Sequence, residues 1–301
     1  MSKVLRIGTR DSELALWQAE KVKALLEAAG QRCELHPIKS EGDLDLNTPI
    51  YQMGLTGVFT KTLDAALLTN HIDLAVHSLK DVPTRLAEGL QLAAILKRAS
   101  AFDVLVQGGD DASATVATGS LRRKAQWLNR YPNSQVIGLR GNVQTRLDKI
   151  VGQPLKGGIF AAAGLERLGF DTLEITPLDW MLPAPAQGAI AIATNTSDKI
   201  TSEICAAIND PETALCVTLE RQFLSTLEGG CSSPIGALAE IHGDQLRFTG
   251  GLFNLDGSAS AHVNRTMPIN EALDQVRELV DELLNNGGHA IMKSLRHGQN
   301  S

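Results

Sequence analysis

Through the first two thirds of the chain, short apolar runs alternate with longer stretches in which apolar residues return every three or four positions. Residues 4–9 and 33–38 read as strands. Between them, residues 13–29 read as a helix with Leu14, Leu16, Trp17, Val22, Leu25 and Leu26 on one broad face and Gly30 as its stop. Residues 61–68 predict a helix and 72–76 a buried strand. The couplet then recurs: 115–118 leads into a helix beginning near Ser120, 135–138 into one near Asn142, and 157–161 into one around Leu165. Repeated strand-to-helix couplets predict α/β domains with mainly parallel sheets, because parallel neighbours need a crossover that a helix supplies. Ligands of such sheets bind at the carboxyl ends of the strands.

The rhythm breaks at residues 182–188, where two prolines and a glycine read as a linker or shaped loop. A strand at 189–193 and helices at 197–208 and 212–227 follow. The last third changes character. Residues 237–241, 246–251 and 259–263 read as three strands with turns at His242-Gly243-Asp244 and Asp256-Gly257. A helix at 270–285 then carries Leu273, Val276, Leu279, Val280, Leu283 and Leu284 as its apolar stripe. Three strands and a helix predict a small α+β domain. The expected division is residues 1–97 with 189–208, residues 101–183, and residues 211–301.

Composition narrows the class. A chain of 301 residues that is 43% hydrophobic has room for two or three buried cores, and it holds no apolar run approaching the roughly 18 residues of a membrane span. Its first residues enter a strand pattern without an apolar leader, so a cytoplasmic location is expected. Cys33, Cys205, Cys216 and Cys231 form no CxxC pair, which argues against a zinc site or a redox motif and for reduced thiols. The net charge of −6 disfavours nucleic acid and anionic membrane as partners. Yet from Thr118 to Arg167 there are nine basic residues against two acidic ones. So concentrated a basic segment fits either a cleft for a small polyanion or a solvated basic face.

Walker, HExxH and GxSxG motifs are absent. Gly54-Leu55-Thr56-Gly57 reads as a turn rather than a nucleotide loop. The informative strings are local and ordered. They run Leu5-Arg6-Ile7-Gly8-Thr9-Arg10-Asp11-Ser12 with Leu14-Ala15-Leu16-Trp17-Gln18-Ala19, then Ala75-Val76-His77-Ser78-Leu79-Lys80-Asp81-Val82-Pro83, then Gly119-Ser120-Leu121-Arg122-Arg123. Next come Leu139-Arg140-Gly141-Asn142-Val143-Gln144-Thr145-Arg146, Ala163-Gly164-Leu165-Glu166-Arg167-Leu168-Gly169, the 182–189 segment, and Leu227-Glu228-Gly229-Gly230-Cys231-Ser232-Ser233-Pro234. From near residue 4 to the final helix, this set resembles the porphobilinogen deaminase family.

The resemblance implies two periplasmic-binding-protein-like α/β domains joined by crossing segments, plus a small C-terminal α+β domain. It implies a dipyrromethane cofactor held by a thioether to Cys231, and porphobilinogen as the substrate. Four units would be joined to that primer with loss of ammonia, and hydroxymethylbilane released by hydrolysis. A monomer with no nucleic-acid or membrane partner and no metal is expected. Each pyrrole unit carries two carboxylates, and planar guanidinium forks suit carboxylates. Arg10, Arg122, Arg123, Arg140, Arg146 and Arg167 are therefore the expected binding set, with Ser12, Ser78, Lys80, Thr118, Ser120, Gly141 and Gln187 from the same strings. For any single arginine, a surface ion pair is the competing reading.

Asp81 is the expected catalytic residue. Loss of ammonia from porphobilinogen leaves a cationic pyrrole, and a fixed carboxylate beside it is stabilising. The competing reading is a helix cap. His77 reads as a core or turn residue. Cys231, between Gly-Gly and Ser-Ser-Pro, reads as a loop cysteine, whereas Cys33, Cys205 and Cys216 read as small buried hydrophobes. There are two departures from the family pattern: lysines are missing from residues 50–58, and Thr194-Asn195 stands where some relatives carry an arginine, predicting a lost anion contact. A carboxylate-binding module without catalysis, or a cysteine hydrolase pairing Cys231 with His77 or His242, are the alternatives from other classes.

Overall fold

The computed structural model describes residues 3–39, 60–227 and 233–298. Cys231 and the 50–58 stretch lie outside them. The first strands and helices are β1 (Leu5–Arg10), α1 (Glu13–Ala28), β2 (Cys33–Ile38), α2 (Lys61–Leu68), β3 (Leu74–Ser78) and β4 (Leu90–Ile95). They are followed by β5 (Asp103–Gln107), β6 (Thr115–Ala117), α3 (Leu121–Arg130), β7 (Gln135–Ile137), α4 (Val143–Asp148), β8 (Gly157–Ala161), α5 (Ala162–Arg167) and β9 (Ile175–Pro177). Then come β10 (Ile190–Asn195), α6 (Lys199–Ala206) and α7 (Pro211–Thr226), and last β11 (Ile235–His242), β12 (Gln245–Phe253), β13 (Ser260–Pro268), α8 (Val276–Leu283) and α9 (His289–Gly298).

Two five-stranded sheets share one plan. The first has the order β2-β1-β3-β10-β4, the second β7-β6-β8-β5-β9. In each, three strands run parallel, and the fourth lies antiparallel to both neighbours. The sheets are thus mixed rather than mainly parallel. The antiparallel member is the strand that has crossed from the other half of the chain: β10 returns to the first sheet after the second is complete, and β5 opens the second directly after β4. Each sheet has its own apolar core, the first around Ile7, Val22, Leu74 and Ile192, the second around Val104, Ala117, Leu147 and Phe160.

The third unit is an antiparallel sheet, β11-β12-β13. Its core joins Phe248, Leu252 and Val263 to Phe223 of α7 and Leu279 of α8. Local chemistry starts the helices where the sequence predicts. Ser120, Asn142, Asp198 and Asp210 each accept a hydrogen bond from the backbone N–H three residues on, supplying a partner to a donor that the first turn leaves orphaned.

The first helix corrects one expectation. Trp17, expected on the buried face of α1, is 39% exposed, while Gln18 is buried. The reason is a partner: the Gln18 amide and the Ser78 hydroxyl hydrogen-bond to each other, at 2.8 and 3.2 Å, so a polar side chain sits inside without penalty.

Candidate active site

The carboxyl ends of β1 and β3 lie side by side. β1 ends on Arg10. Ser12 then occupies the N-cap position of α1, but its hydroxyl makes no capping bond. β3 ends on Ser78 and runs straight into a single 3-10 turn, Leu79–Asp81. Arg10, Ser12, Gln18, Thr60, His77, Ser78 and Asp81 line one cavity there. Asp81 is the last residue of its turn and Val82 is extended, so Asp81 does not cap a helix. His77 is buried on β3. Burial, and then the Arg10 charge, push its imidazole down to about 4. A buried ring of such low basicity is a poor base for a cysteine nucleophile.

Facing this, the second sheet presents a buried charge network. Asp103, fully buried at the start of β5, lies 2.8 Å from the Arg122 Nη1 and accepts from the Arg123 Nε and Nη2 at 3.1 and 2.8 Å. Gln187 donates to the same carboxylate at 2.8 Å and to the Ala101 carbonyl at 2.7 Å. The flanking guanidinium groups hold the Asp103 carboxyl down, at about 2, against the opposing effect of burial. Arg123 also donates to the Ile159 carbonyl, and Arg122 to that of Leu182. Lys80 reaches the Gln187 oxygen at 3.4 Å; burial lowers its ammonium to about 8, partly offset by Asp81 and Asp103. Arg122, Arg123 and Gln187, expected as contacts to an external carboxylate, also engage an internal one, while the Arg122 Nε is buried without a hydrogen-bond partner.

Arg140 and Arg146 differ. Arg146, on α4, has a buried Nε without a hydrogen-bond partner. Burial lowers its pKa to about 10, as do the charges of Arg123, Arg140 and Arg10, while Asp81 raises it. Arg146 thus lies within the fields of Arg10, Asp81, Arg123 and Arg140. Gly141 permits the turn from Arg140 into α4: its φ is +115°, and an added Cβ would fall 2.8 Å from Thr145. Thr118 and Ser120 are engaged locally, the Thr118 hydroxyl accepting from the Ser120 N–H and the Ser120 hydroxyl from the Arg123 N–H. Arg167 donates to the Gly188 carbonyl at 2.6 Å and lies over the Trp17 ring at 5.7 Å, bridging α5 to α1.

Sequence reasoning missed Asp103 and Gln18. Asp103 left a faint signal, an acidic residue opening the apolar run Val104-Leu105-Val106. The expected loss of an anion contact at Thr194-Asn195 is corrected by register. Ile190 pairs with Ser78 whereas Thr194 pairs with Leu74, so Thr194 sits at the far end of β10, bonded to Ser202.

A buried guanidinium among other cations is a poor resting state unless an anion joins it, because burial penalises an unbalanced charge. Carboxylate-bearing pyrroles supply such anions, so the residues present fit a dipyrromethane. Two α/β lobes that turn cationic strand ends toward one carboxylate, braced by a third domain, define an enzyme for a polycarboxylate substrate. The family description "porphobilinogen deaminase, dipyromethane cofactor binding domain" matches residues 5–203, and "porphobilinogen deaminase, C-terminal domain" matches residues 214–285. The chain belongs to the porphobilinogen deaminase family.

It is 42% identical over 299 residues to the porphobilinogen deaminase of Citrifermentans bemidjiense, spanning 96% of this chain and 94% of that protein. To that of Geobacter sulfurreducens it is 41% identical, spanning 96% and 93%. Among solved structures it is similar to the periplasmic VFT2 domain of Bordetella pertussis BvgS, with a TM-score of 0.42 and 14% identity over 67% of this chain and 85% of that one. The protein is a transferase of tetrapyrrole biosynthesis with a dipyrromethane cofactor. Among the described residues, no helix is long and apolar enough to cross a membrane.

Proposed function

We propose that Asp81 is the catalytic residue, that Cys231 carries the dipyrromethane, and that Arg10, Arg140, Arg146 and Arg167 receive the carboxylates of primer and incoming porphobilinogen. Ser12, Ser78, Lys80, Thr118, Ser120 and Gly141 shape that surface. Arg122, Arg123 and Gln187 form its buried wall with Asp103. The observation that carries the reading is the cavity that Asp81 shares with Arg10, Ser12 and Ser78, with the charges of Arg10, Asp81 and Arg140 all felt at the buried Arg146.

The dipyrromethane, when bound, supplies the pyrrole end to which each new unit is joined. The chain's own residues do the rest. Arg10 and Arg146 orient porphobilinogen by its acetate and propionate, so its aminomethyl group comes to lie beside Asp81. The Asp81 carboxylate accepts a hydrogen bond from the pyrrole N–H and stabilises the cation left when ammonia departs. At about 4 Å and an effective dielectric near 20, that attraction is roughly 4 kcal/mol. Four additions followed by hydrolysis yield hydroxymethylbilane. We further propose a monomer, located in the cytoplasm, with no nucleic-acid or membrane partner, and divided as residues 1–97 with 189–208, residues 101–183, and residues 211–301.

Peptide mass mapping tests the attachment. The expected result is a dipyrrole-sized addition on the peptide containing Gly229-Gly230-Cys231. An adduct on Cys33, Cys205 or Cys216 would contradict it.

A further inference from the structure

The turn that carries Lys80 and Asp81 has little to hold it from within. It is three residues long and no helix continues it. Pro83 contributes no N–H donor, and the turn's own backbone bond runs from the Val82 N–H to the Leu79 carbonyl at 3.1 Å. The carbonyl that opens it and two that follow it meet α7. There the Arg221 guanidinium donates to the Leu79 carbonyl at 3.3 Å, the Val82 carbonyl at 2.8 Å and the Pro83 carbonyl at 2.7 Å. Those three oxygens bracket Lys80 and Asp81. One turn earlier on α7, Val217 packs against Leu79 and Val82.

The neighbouring residue fixes the other side of the helix. Glu220 is fully buried and accepts from Arg98 at 2.6 and 3.1 Å, from the Ala186 N–H at 2.6 Å and from the Ala239 N–H at 2.9 Å. Ala186 is a non-glycine residue at φ +63°, held in that disfavoured region by this bond. Arg98 and Ala186 lie on the two segments that cross between the sheets, and Ala239 lies on β11. Consecutive residues of α7 therefore clamp the crossover with one side chain and the Asp81 turn with the next.

We infer that Arg221 is a positioning residue for the reaction: it sets where the Asp81 carboxylate stands relative to α7 and the third domain. The inference rests on the assignment of Asp81 proposed above. It acts through the backbone, so the planar fork matters as much as the charge. Lysine brings one point charge and cannot span three carbonyls in the same way.

The test is a double-mutant cycle on the holoenzyme, reading single-turnover ring addition, together with hydrogen exchange of residues 79–83. Arg221→Met is expected to slow ring addition by up to about 10²-fold, as a misplacement near 1 Å does. The expected KM for porphobilinogen changes little. Arg221→Lys is expected to recover part of the rate, and it carries the test if Arg221→Met does not fold. Amide exchange is expected to speed up at Leu79 and Val82 and to stay unchanged along β1. In an Asp81→Asn background, Arg221→Met is expected to add almost nothing, because residues acting through one another are not additive. Full additivity in that cycle, or unchanged exchange at 79–83, would overturn the inference. A near-normal rate for Asp81→Asn alone would instead remove the assignment of Asp81.

Discussion

Arg122–Arg123 and Arg140–Arg146 are drawn from the same basic segment and look alike in sequence, but the structure gives them opposite circumstances. The first pair shares a buried carboxylate, Asp103, and each of the two also donates to a backbone carbonyl. Arg146 has mainly cations for neighbours, and its Nε, like those of Arg122 and Arg140, is buried without a hydrogen-bond partner. One pair braces the crossing segments through Asp103; the other, in the reading proposed above, awaits a carboxylate from outside. An arginine's role in such a cleft is set by whether the fold supplies the anion or leaves that to the ligand.

Breaking each side of this comparison has a different signature. Asp103→Asn strips two buried guanidinium groups of their counter-ion. Losing one partner of a buried pair costs about 3–5 kcal/mol, so urea unfolding is expected to shift strongly even in the apoprotein. Arg146→Leu is expected to leave apoprotein stability unchanged or raised, yet to weaken cofactor assembly and substrate binding by about 1.5–3 kcal/mol, the worth of a charged hydrogen bond. If Arg146→Leu destabilised the apoprotein as much as Asp103→Asn, the distinction would collapse.

His77 sharpens the comparison through pH. Its folded pKa, about 4, lies below the ordinary value of 6.5. Between those values the unfolded chain binds the proton and the folded one does not, so stability falls as pH drops from about 6.5 toward 4. His77→Gln is expected to lose less stability than the wild type between pH 7 and pH 5 in urea titrations. Because Arg10 helps to depress His77, a carboxylate bound on Arg10 is expected to shrink the same slope. An identical slope in variant and wild type would show that His77 does not titrate as its burial implies.

The smallest effects belong to basic residues of the same segment that serve neither role. Arg130 lies 4.9 Å over the Trp180 ring, and Lys156 pairs with the exposed Asp111. Arg130→Ala is expected to cost about 0.5–1 kcal/mol, the worth of an exposed cation–π contact, and Lys156→Ala about 0–1 kcal/mol. Both are expected to leave turnover unchanged in steady-state assays.

Much of this was legible in the sequence, for identifiable reasons. Helix starts carried their caps, and the strand-then-helix couplets emerged with nearly the expected bounds. What periodicity does not encode is partnership. The 189–193 run announced a strand, but its place antiparallel between β3 and β4 depends on a crossing that no local pattern records. β4, β5, β9 and α9 passed unnoticed, β9 being a three-residue edge strand with exposed side chains. Trp17 is exposed although its apolar character places it on the buried face: a helical wheel ranks side chains by polarity, while burial of Gln18 depends on Ser78, sixty residues away. The arginines were found as a set; their division was hidden until Asp103 was placed among them.

The central claim, that Asp81 is the charge on which ring addition turns, is tested most directly by single-turnover kinetics of holo Asp81→Asn loaded with preformed cofactor. Asparagine keeps the size and removes the charge. Loss of a preorganised electrostatic partner costs on the order of 10²–10³ in rate, and the account predicts that loss at each added ring, with Asp81→Glu retaining partial activity. Ring addition by Asp81→Asn at close to the wild-type rate would contradict it.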